Sequence, residues 1–134
     1  RRFDTPPGIY PTNVVITGRN PRSRPELLGL VGDGLYIGRI WYTYPINGLR
    51  AGDFTCTVVG DSYVVRDGQV VGAIKPNTIR VNDNIHRVLN SILGIGAAVR
   101  PTIVWASDEV TYAPEVAVEG LQVEEIAGFL EPGR

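Results

Sequence analysis

Residues 62–71 read Ser-Tyr-Val-Val-Arg-Asp-Gly-Gln-Val-Val, and this stretch decides the fold class. Two short runs rich in β-branched residues flank an Asp-Gly pair. Asp67-Gly68 readily takes the positive φ angles that a type I′ turn requires. The stretch therefore predicts a β-hairpin with a two-residue turn, and the sequence on either side indicates what accompanies it.

The sequence before this hairpin predicts three more strands. Residues 12–17 form a short β-branched run, and Leu35 to Ile46 alternate as one long strand with substantial side chains on both faces. Asn47-Gly48 is a typical tight-turn dipeptide. Asp53 to Gly60 then supplies a return strand that should pair with the long one.

Two helices are predicted. Ser23 and Glu26 have the capping-box spacing, and Leu27, Leu28 and Val31 give the helix that follows an apolar face before Gly32. The main helix is expected after a cap at Asn82 or Asp83, ending at Gly94 and Gly96 and lying across the sheet. Its apolar stripe consists of Ile85, Val88, Leu89, Ile92 and Leu93.

Further extended segments are expected at residues 78–81, 101–106, 111–118 and 121–126. The fold class is therefore mostly β, a barrel-like or curved mixed sheet with one main amphipathic helix, and α+β by strict count. The proline-rich residues 1–11 suit a linker. Residues 12–128 are expected to form a single domain, and residues 129–134 a tail.

Composition narrows the function classes. The 134 residues suit one domain, with 43% hydrophobic and 20% charged residues. A net charge of -1 offers no overall field for phosphate backbones, so nucleic acid is not an expected partner. No apolar run is long enough to cross a membrane. A single cysteine excludes an internal disulfide framework and suits the cytoplasm.

Reactive groups are few. Cys56 alternates with Phe54 and Val58 and is expected to be a buried apolar side chain, while His86, the only histidine, is expected on a helix surface. The carboxylate pairs at residues 108–109 and 124–125 suit solvated turns and edges. From these residues we expect neither a catalytic group nor a metal site in this chain.

The aromatic strand is the feature that suggests binding. It carries Tyr36, Trp41, Tyr42 and Tyr44 together with Arg39. A strand with large side chains on both faces is usually buried between a helix and another sheet. Alternatively, Arg39, Trp41 and Tyr42 line a cleft for a peptide, because aromatic area and a guanidinium are common anchors.

The order of these segments resembles the C-terminal domain of the TldD/PmbA family. The resemblance is carried by residues 33–42, 52–55 and 62–71, then by residues 73–82, an amphipathic helix ending in a glycine like Gly96, and a closing β region like residues 116–123. It covers the chain from Pro11 to Ile126.

The resemblance implies a zinc metallopeptidase family, also known as modulators of DNA gyrase, whose dimers enclose the active site and degrade or mature peptides. The family's H-E-x-x-x-H zinc helix belongs to an upstream part of the protein that this sequence does not contain. The TldD branch adds a cysteine ligand, and the position similar to it here is Trp105, which has no thiolate. The chain therefore looks more like the PmbA (TldE) branch, whose members can lack the metal residues.

These observations give three functional hypotheses. In the first, the chain is the C-terminal domain of a TldD/PmbA-like peptidase and supplies a wall of the peptide cavity and part of a dimer interface, with zinc in the full-length protein or a TldD-like partner subunit. In the second, it is a metal-free partner or scaffold module without enzymatic activity. In the third, it is an unrelated β domain that binds a small ligand or peptide.

Overall fold

The sequence folds into a mostly β structure with little helix, as predicted. The computed structural model describes residues 14–103 and 110–126. The helices within them are α1 (Arg24–Val31) and α2 (Ile85–Asn90). The strands are β1 (Gly34–Tyr36), β2 (Ile40–Pro45), β3 (Asp53–Val58), β4 (Tyr63–Arg66), β5 (Gln69–Ala73), β6 (Ile79–Asn84), β7 (Ile92–Ile103), β8 (Val110–Val118) and β9 (Val123–Glu125).

The strands form three open antiparallel sheets in the described residues. The first has the order β1-β4-β5, the second β2-β3-β6-β9, and the third is the long ribbon of β7 and β8. The second sheet holds the main core, in which Cys56, Val58 and Val81 are buried beneath Phe54 and Leu121. β2 is an end strand of that sheet, and this position makes it accessible.

The 62–71 stretch forms the predicted hairpin. Arg66 pairs with Gln69 across the turn, and Asp67 and Gly68 have φ angles of 48° and 71°. The tip rests against the end of α1, because the Gly68 N–H donates to the Gly32 carbonyl at 2.8 Å. The Asp67 N–H donates to Oδ1 of Asp33 at 2.9 Å. The turn therefore also fixes where α1 ends.

The expected long strand from Leu35 to Ile46 is wrong, because the chain changes sheets within it. β1 pairs with β4, whereas β2 pairs with β3. Between them, Gly38 crosses so close to residue 61 that a Cβ at position 38 would lie 2.0 Å from the Asp61 carbonyl oxygen. The Gly38 N–H donates to the buried Ser62 hydroxyl at 3.2 Å. The alternation of side chains over residues 35–46 does not predict that the chain changes sheets there.

Two other strand expectations need correction. Within the expected 12–17 strand, residues 14–17 form no strand, and Val14 and Val15 are 78% and 76% exposed. The Asn47-Gly48 pair does not make a two-residue turn: Pro45 pairs with Phe54, and the loop runs from residue 46 to residue 52. Asn47 instead donates from its side chain to Oδ2 of Asp53 at 2.8 Å, and this tertiary bond favours the longer loop.

The two helices differ from expectation in their lengths. α1 begins after Ser23 with the predicted capping box and is the longer helix. α2 is capped by Asn84 and ends at Asn90, so Ile92 and Leu93 belong to β7 instead of the helix stripe. α2 buries none of its residues, and the expectation that it lies across the sheet as the main helix is wrong.

Gly94 allows β7 to pass close to α1. Gly94 does not end a helix; it lies in β7 beneath α1, where an added Cβ would come within 2.8 Å of Leu30 and 3.1 Å of Leu27. Leu27 is the buried residue of α1. The β7–β8 ribbon therefore packs against α1. A two-stranded ribbon is only marginally stable alone, so this contact stabilises it.

One polar cluster joins α1, β1 and β8. Arg24 Nε donates to Glu115 Oε1 at 3.0 Å, and its Nη2 donates to the same carboxylate. The Tyr36 hydroxyl donates to Glu115 Oε1 at 3.1 Å, and the Arg24 guanidinium lies 5.5 Å from the centre of the Tyr36 ring. The hydrogen bonds from Arg24 and then Tyr36 hold the pKa of Glu115 below its ordinary value, although burial opposes this.

Residues 1–11 and 129–134, expected to be a linker and a tail, lie outside the described residues, and so do residues 104–109.

We predict that Val58→Ala lowers the free energy of unfolding by about 2 kcal/mol, because Val58 is fully buried and its truncation leaves a cavity. Val71→Ala is the matched control, since Val71 is 60% exposed on β5 and its truncation should change stability by less than about 0.5 kcal/mol. Urea denaturation of both variants measures the difference. Equal effects would contradict the assignment of the core to the second sheet.

A second prediction concerns acid stability. Since folding lowers the pKa of Glu115, this group stabilises the fold above its unfolded pKa, and the contribution is lost as the pH falls through the folded value. Glu115→Gln should therefore cost about 1–2 kcal/mol at neutral pH and progressively less from about pH 5 to about pH 3. Urea denaturation across this range checks it, and a cost independent of pH would contradict it.

Candidate functional site

The exposed side of β2 is the most distinctive surface of the described structure. Every residue of β2 is exposed, and large apolar side chains continue into the loop that follows it. We call this surface the aromatic edge and define it by Ile40, Trp41, Tyr42, Tyr44, Ile46 and Leu49. Exposure ranges from 41% at Trp41 to 87% at Leu49. An apolar surface of this kind is typical of a binding site or an interface.

A β-bulge shapes the centre of the aromatic edge. Trp41 pairs with Thr57 and Tyr44 with Thr55, so Tyr42 and Thr43 together lie opposite Cys56. The extra residue places Tyr42 in the left-handed region, with φ of 52°. The rings of Trp41 and Tyr42 are neighbours as a result, with centroids 5.8 Å apart and planes at 84°. Such an edge-to-face pair is a favourable aromatic arrangement.

Arg39 lies immediately before β2. Its Nη2 is 3.3 Å from Oδ2 of Asp61, and the side chains of both residues are about two-thirds exposed, at 66% and 68%. An ion pair so exposed contributes little to stability. The guanidinium therefore remains accessible to a second anionic group.

The structure places Arg39, Trp41 and Tyr42 on one exposed segment, with the two rings in contact. The expectation that this strand is buried between a helix and another sheet is wrong, because β2 is the end strand of its sheet. Tyr36 does not belong to the aromatic edge, since the crossing at Gly38 carries it into the first sheet. There its ring lies 6.1 Å from that of Tyr63.

An open polar cavity of about 250 Å³ lies beside the loop between β2 and β3. Amide and acidic side chains dominate its lining, among them Asn47, Asp53, Asn82 and Asp83. The sequence predicts only a helix cap at Asn82 or Asp83 and does not predict the cavity. The run Asn82-Asp83-Asn84 was the available signal, because polar residues at consecutive positions of a strand must place some of them toward its interior face.

Two carboxylates organise this cavity. Asp53 accepts hydrogen bonds from the side-chain amides of Asn47 and Asn84, each at 2.8 Å, and these lower its pKa. The Asp83 side chain is buried, and burial opposes its ionisation. Hydrogen bonds from Arg87 and from the Gln122 N–H outweigh that effect, so the pKa of Asp83 is also lowered. Both acids therefore serve as ionised acceptors that hold the loops together.

The described residues do not fit a zinc site. Within residues 14–103 and 110–126, no three His, Cys, Asp or Glu side chains come together as metal ligands. Cys56 is buried in the core, as the sequence predicted, and burial raises the pKa of its thiol against the opposing hydrogen bond with Thr43. His86 is exposed on α2, as expected. Trp105 and the carboxylates at residues 108–109 lie outside the described residues.

A comparison with family models decides the affiliation. The model of the PmbA/TldA metallopeptidase C-terminal domain matches residues 1–125. The chain belongs to the PmbA/TldD family. The resemblance seen in the order of the sequence segments is thereby confirmed.

A solved structure has the same fold as this PmbA/TldD domain. It is a proposed modulator of a DNA gyrase from Thermotoga maritima, with a TM-score of 0.56 and 23% sequence identity. The match covers 78% of this chain and 22% of that one, so the PmbA/TldD domain spans about a fifth of the length of this relative. No curated protein matches the chain.

The described part of the PmbA/TldD domain contains no helix long and apolar enough to cross a membrane.

We predict that Cys56 of the folded domain reacts slowly with a thiol reagent, because it is only 2% exposed and its pKa is raised, so little thiolate forms. The rate should rise to that of a free thiol in denaturant. The chain has a single cysteine, so a thiol assay reads this group alone. Rapid reaction in the native state would place Cys56 outside the core.

Proposed function

We propose that this chain is the C-terminal domain of a longer peptidase and supplies a wall of its peptide cavity and part of a subunit interface. The aromatic edge carries the proposal, since a member of a metallopeptidase family exposes Trp41, Tyr42 and Tyr44 beside the accessible guanidinium of Arg39. Aromatic residues and arginine are the groups that most often anchor peptides and protein surfaces. In this proposal the chain binds and does not itself catalyse.

In the same proposal, zinc is held by an upstream region of the longer protein or by a TldD-like partner subunit. Among the described residues no three potential metal ligands come together, and the contribution proposed for this domain is to bind and orient the peptide. The parent is proposed to act as a dimer in the cytoplasm, where a protein with a single reduced cysteine is stable. Its substrate is an unstructured peptide.

A second candidate function is that of a metal-free partner or scaffold of such a peptidase. Trp105 favours it, because an indole at the position similar to a cysteine ligand of the TldD branch cannot bind zinc as a thiolate does. The two candidates differ in where the metal is found, and this difference can be measured directly.

The test uses the full-length parent protein, alone and with a candidate partner subunit. Zinc content is measured together with cleavage of an unfolded peptide, with and without a chelator. Near-stoichiometric zinc and chelator-sensitive cleavage by the parent alone support the first candidate. Zinc and cleavage that appear only with the partner support the second. A parent with bound zinc that cleaves no unfolded peptide, alone or with the partner, would refute the peptidase function.

We further predict that Trp41→Ala in the parent weakens peptide binding about tenfold or more. Its stability should fall by less than about 2 kcal/mol, since Trp41 is 41% exposed, whereas a core aromatic costs on the order of 3–5 kcal/mol. Tyr112→Ala is the matched control, because Tyr112 is 68% exposed on β8, outside the aromatic edge. Equal binding by both variants would remove Trp41 from the site.

A further inference from the structure

The polar cavity beside the loop between β2 and β3 carries an excess negative charge. Its charged lining residues are Asp53, Asp83 and Arg87. Arg87 forms an ion pair with Asp83. Asp53, in contrast, accepts hydrogen bonds from neutral groups, the side-chain amides of Asn47 and Asn84. Two carboxylates and one guanidinium leave the lining with one negative charge, located at Asp53, and this charge favours a cationic ligand.

The two carboxylates also differ in the hydrogen bonds that they can still accept. An ionised carboxylate accepts about four. The Asp83 oxygens accept two from the Arg87 guanidinium. They also accept the backbone N–H groups of Asn84 and Gln122. Asp53 accepts only its two amide hydrogen bonds among the described residues, so it has room for about two further donors.

Amide side chains of the lining offer further acceptors. The side-chain carbonyl oxygens of Asn47, Asn82 and Gln122 accept no hydrogen bond within the described part of the chain. Ile46 is the apolar residue of the described lining and is 52% exposed. An alkyl ammonium group has one positive charge, three N–H donors and a hydrocarbon chain. Each of these features has a counterpart in the lining.

We propose that this cavity binds the ammonium group of a short primary alkyl amine, with Asp53 as its counter-ion. The volume of about 250 Å³ accommodates the ammonium group and the first carbons of its chain. The same chemistry occurs in a free amine and in a lysine side chain. The cavity shares only Ile46 with the aromatic edge, so amine binding can be lost while peptide binding is retained.

A divalent metal ion fits the cavity less well. Calcium takes six to eight oxygen ligands, usually including several carboxylates. Here Asp53 is the only carboxylate of the described lining without a cationic partner, and no three His, Cys, Asp or Glu side chains come together in residues 14–103 and 110–126. Arg50, on the adjoining loop, does not line the cavity and forms no ion pair with Asp53 in the described structure.

The experiment measures ligand binding to the full-length parent protein by saturation-transfer difference NMR at constant ionic strength. The probes are n-butylammonium and lysine blocked at its α-amino and carboxyl groups. Tetramethylammonium has the same charge but no N–H donor, and it should bind about tenfold or more weakly than n-butylammonium. Neutral 1-butanol should not bind. The tighter of the two amine probes identifies the source of the ligand as a free amine or a lysine side chain.

Three variants assign the site. Asp53→Asn should weaken n-butylammonium binding about tenfold or more, because it removes the counter-ion. Asp61→Asn is the matched control outside the cavity, where asparagine tolerates the φ of 56°, and it should leave binding unchanged. Gln122→Ala should weaken binding about threefold and preserve stability, because Gln122 binds Asp83 through its backbone N–H. Gln122→Ala therefore tests the site even if Asp53→Asn disturbs the loop.

Three outcomes would overturn the proposal. Equal binding of n-butylammonium and tetramethylammonium would show attraction by charge without hydrogen bonding. Calcium that binds more tightly than the amine, and is lost in Asp53→Asn, would show a metal site. Absence of amine binding would show that the cavity has no such ligand. In each case peptide cleavage by the parent would be unaffected, so the amine site and the peptidase function fail separately.

Discussion

The position of β2 depends on a close backbone crossing at Gly38. Here the chain leaves the first sheet and joins the second within three residues, and it passes so close to the Asp61 carbonyl that any side chain would collide with backbone. Backbone atoms cannot move aside as the end of a flexible side chain can. The crossing therefore fixes where β2 begins and brings Asp61 beside Arg39. The aromatic edge begins directly after this crossing.

The rest of the structure is joined by polar contacts between separate small cores. Arg24 and Glu115 link α1 to β8, and Tyr36 adds β1 to the same cluster. On the other side, Asp83 binds both Arg87 and the backbone of Gln122 and thereby connects α2 to the chain before β9. Each sheet alone buries few large side chains. Charge-assisted hydrogen bonds therefore help to fix the orientation of these elements.

The sequence predicted correctly those features that depend on residues close together along the chain. The Asp67-Gly68 turn and the Ser23 capping box were predicted correctly, because each depends on residues a few positions apart. The division of residues 35–46 between two sheets was not predictable, since it depends on contact with residue 61. Likewise, Gly94 has the pattern of a helix end but serves close packing against Leu30. For the site, the sequence identified Arg39, Trp41 and Tyr42 as a group, but the bulge that brings the two rings together depends on pairing with β3.

The bulge at Tyr42 also carries a thermodynamic consequence. A left-handed backbone costs a residue with a side chain on the order of 1–2 kcal/mol relative to glycine. Tyr42 recovers little of this cost by burial, because 65% of its side chain is exposed. A more stable domain is therefore available through a single substitution at this position, and the present sequence does not use it. In the proposed function, this lost stability is the cost of placing an aromatic anchor at an exposed position.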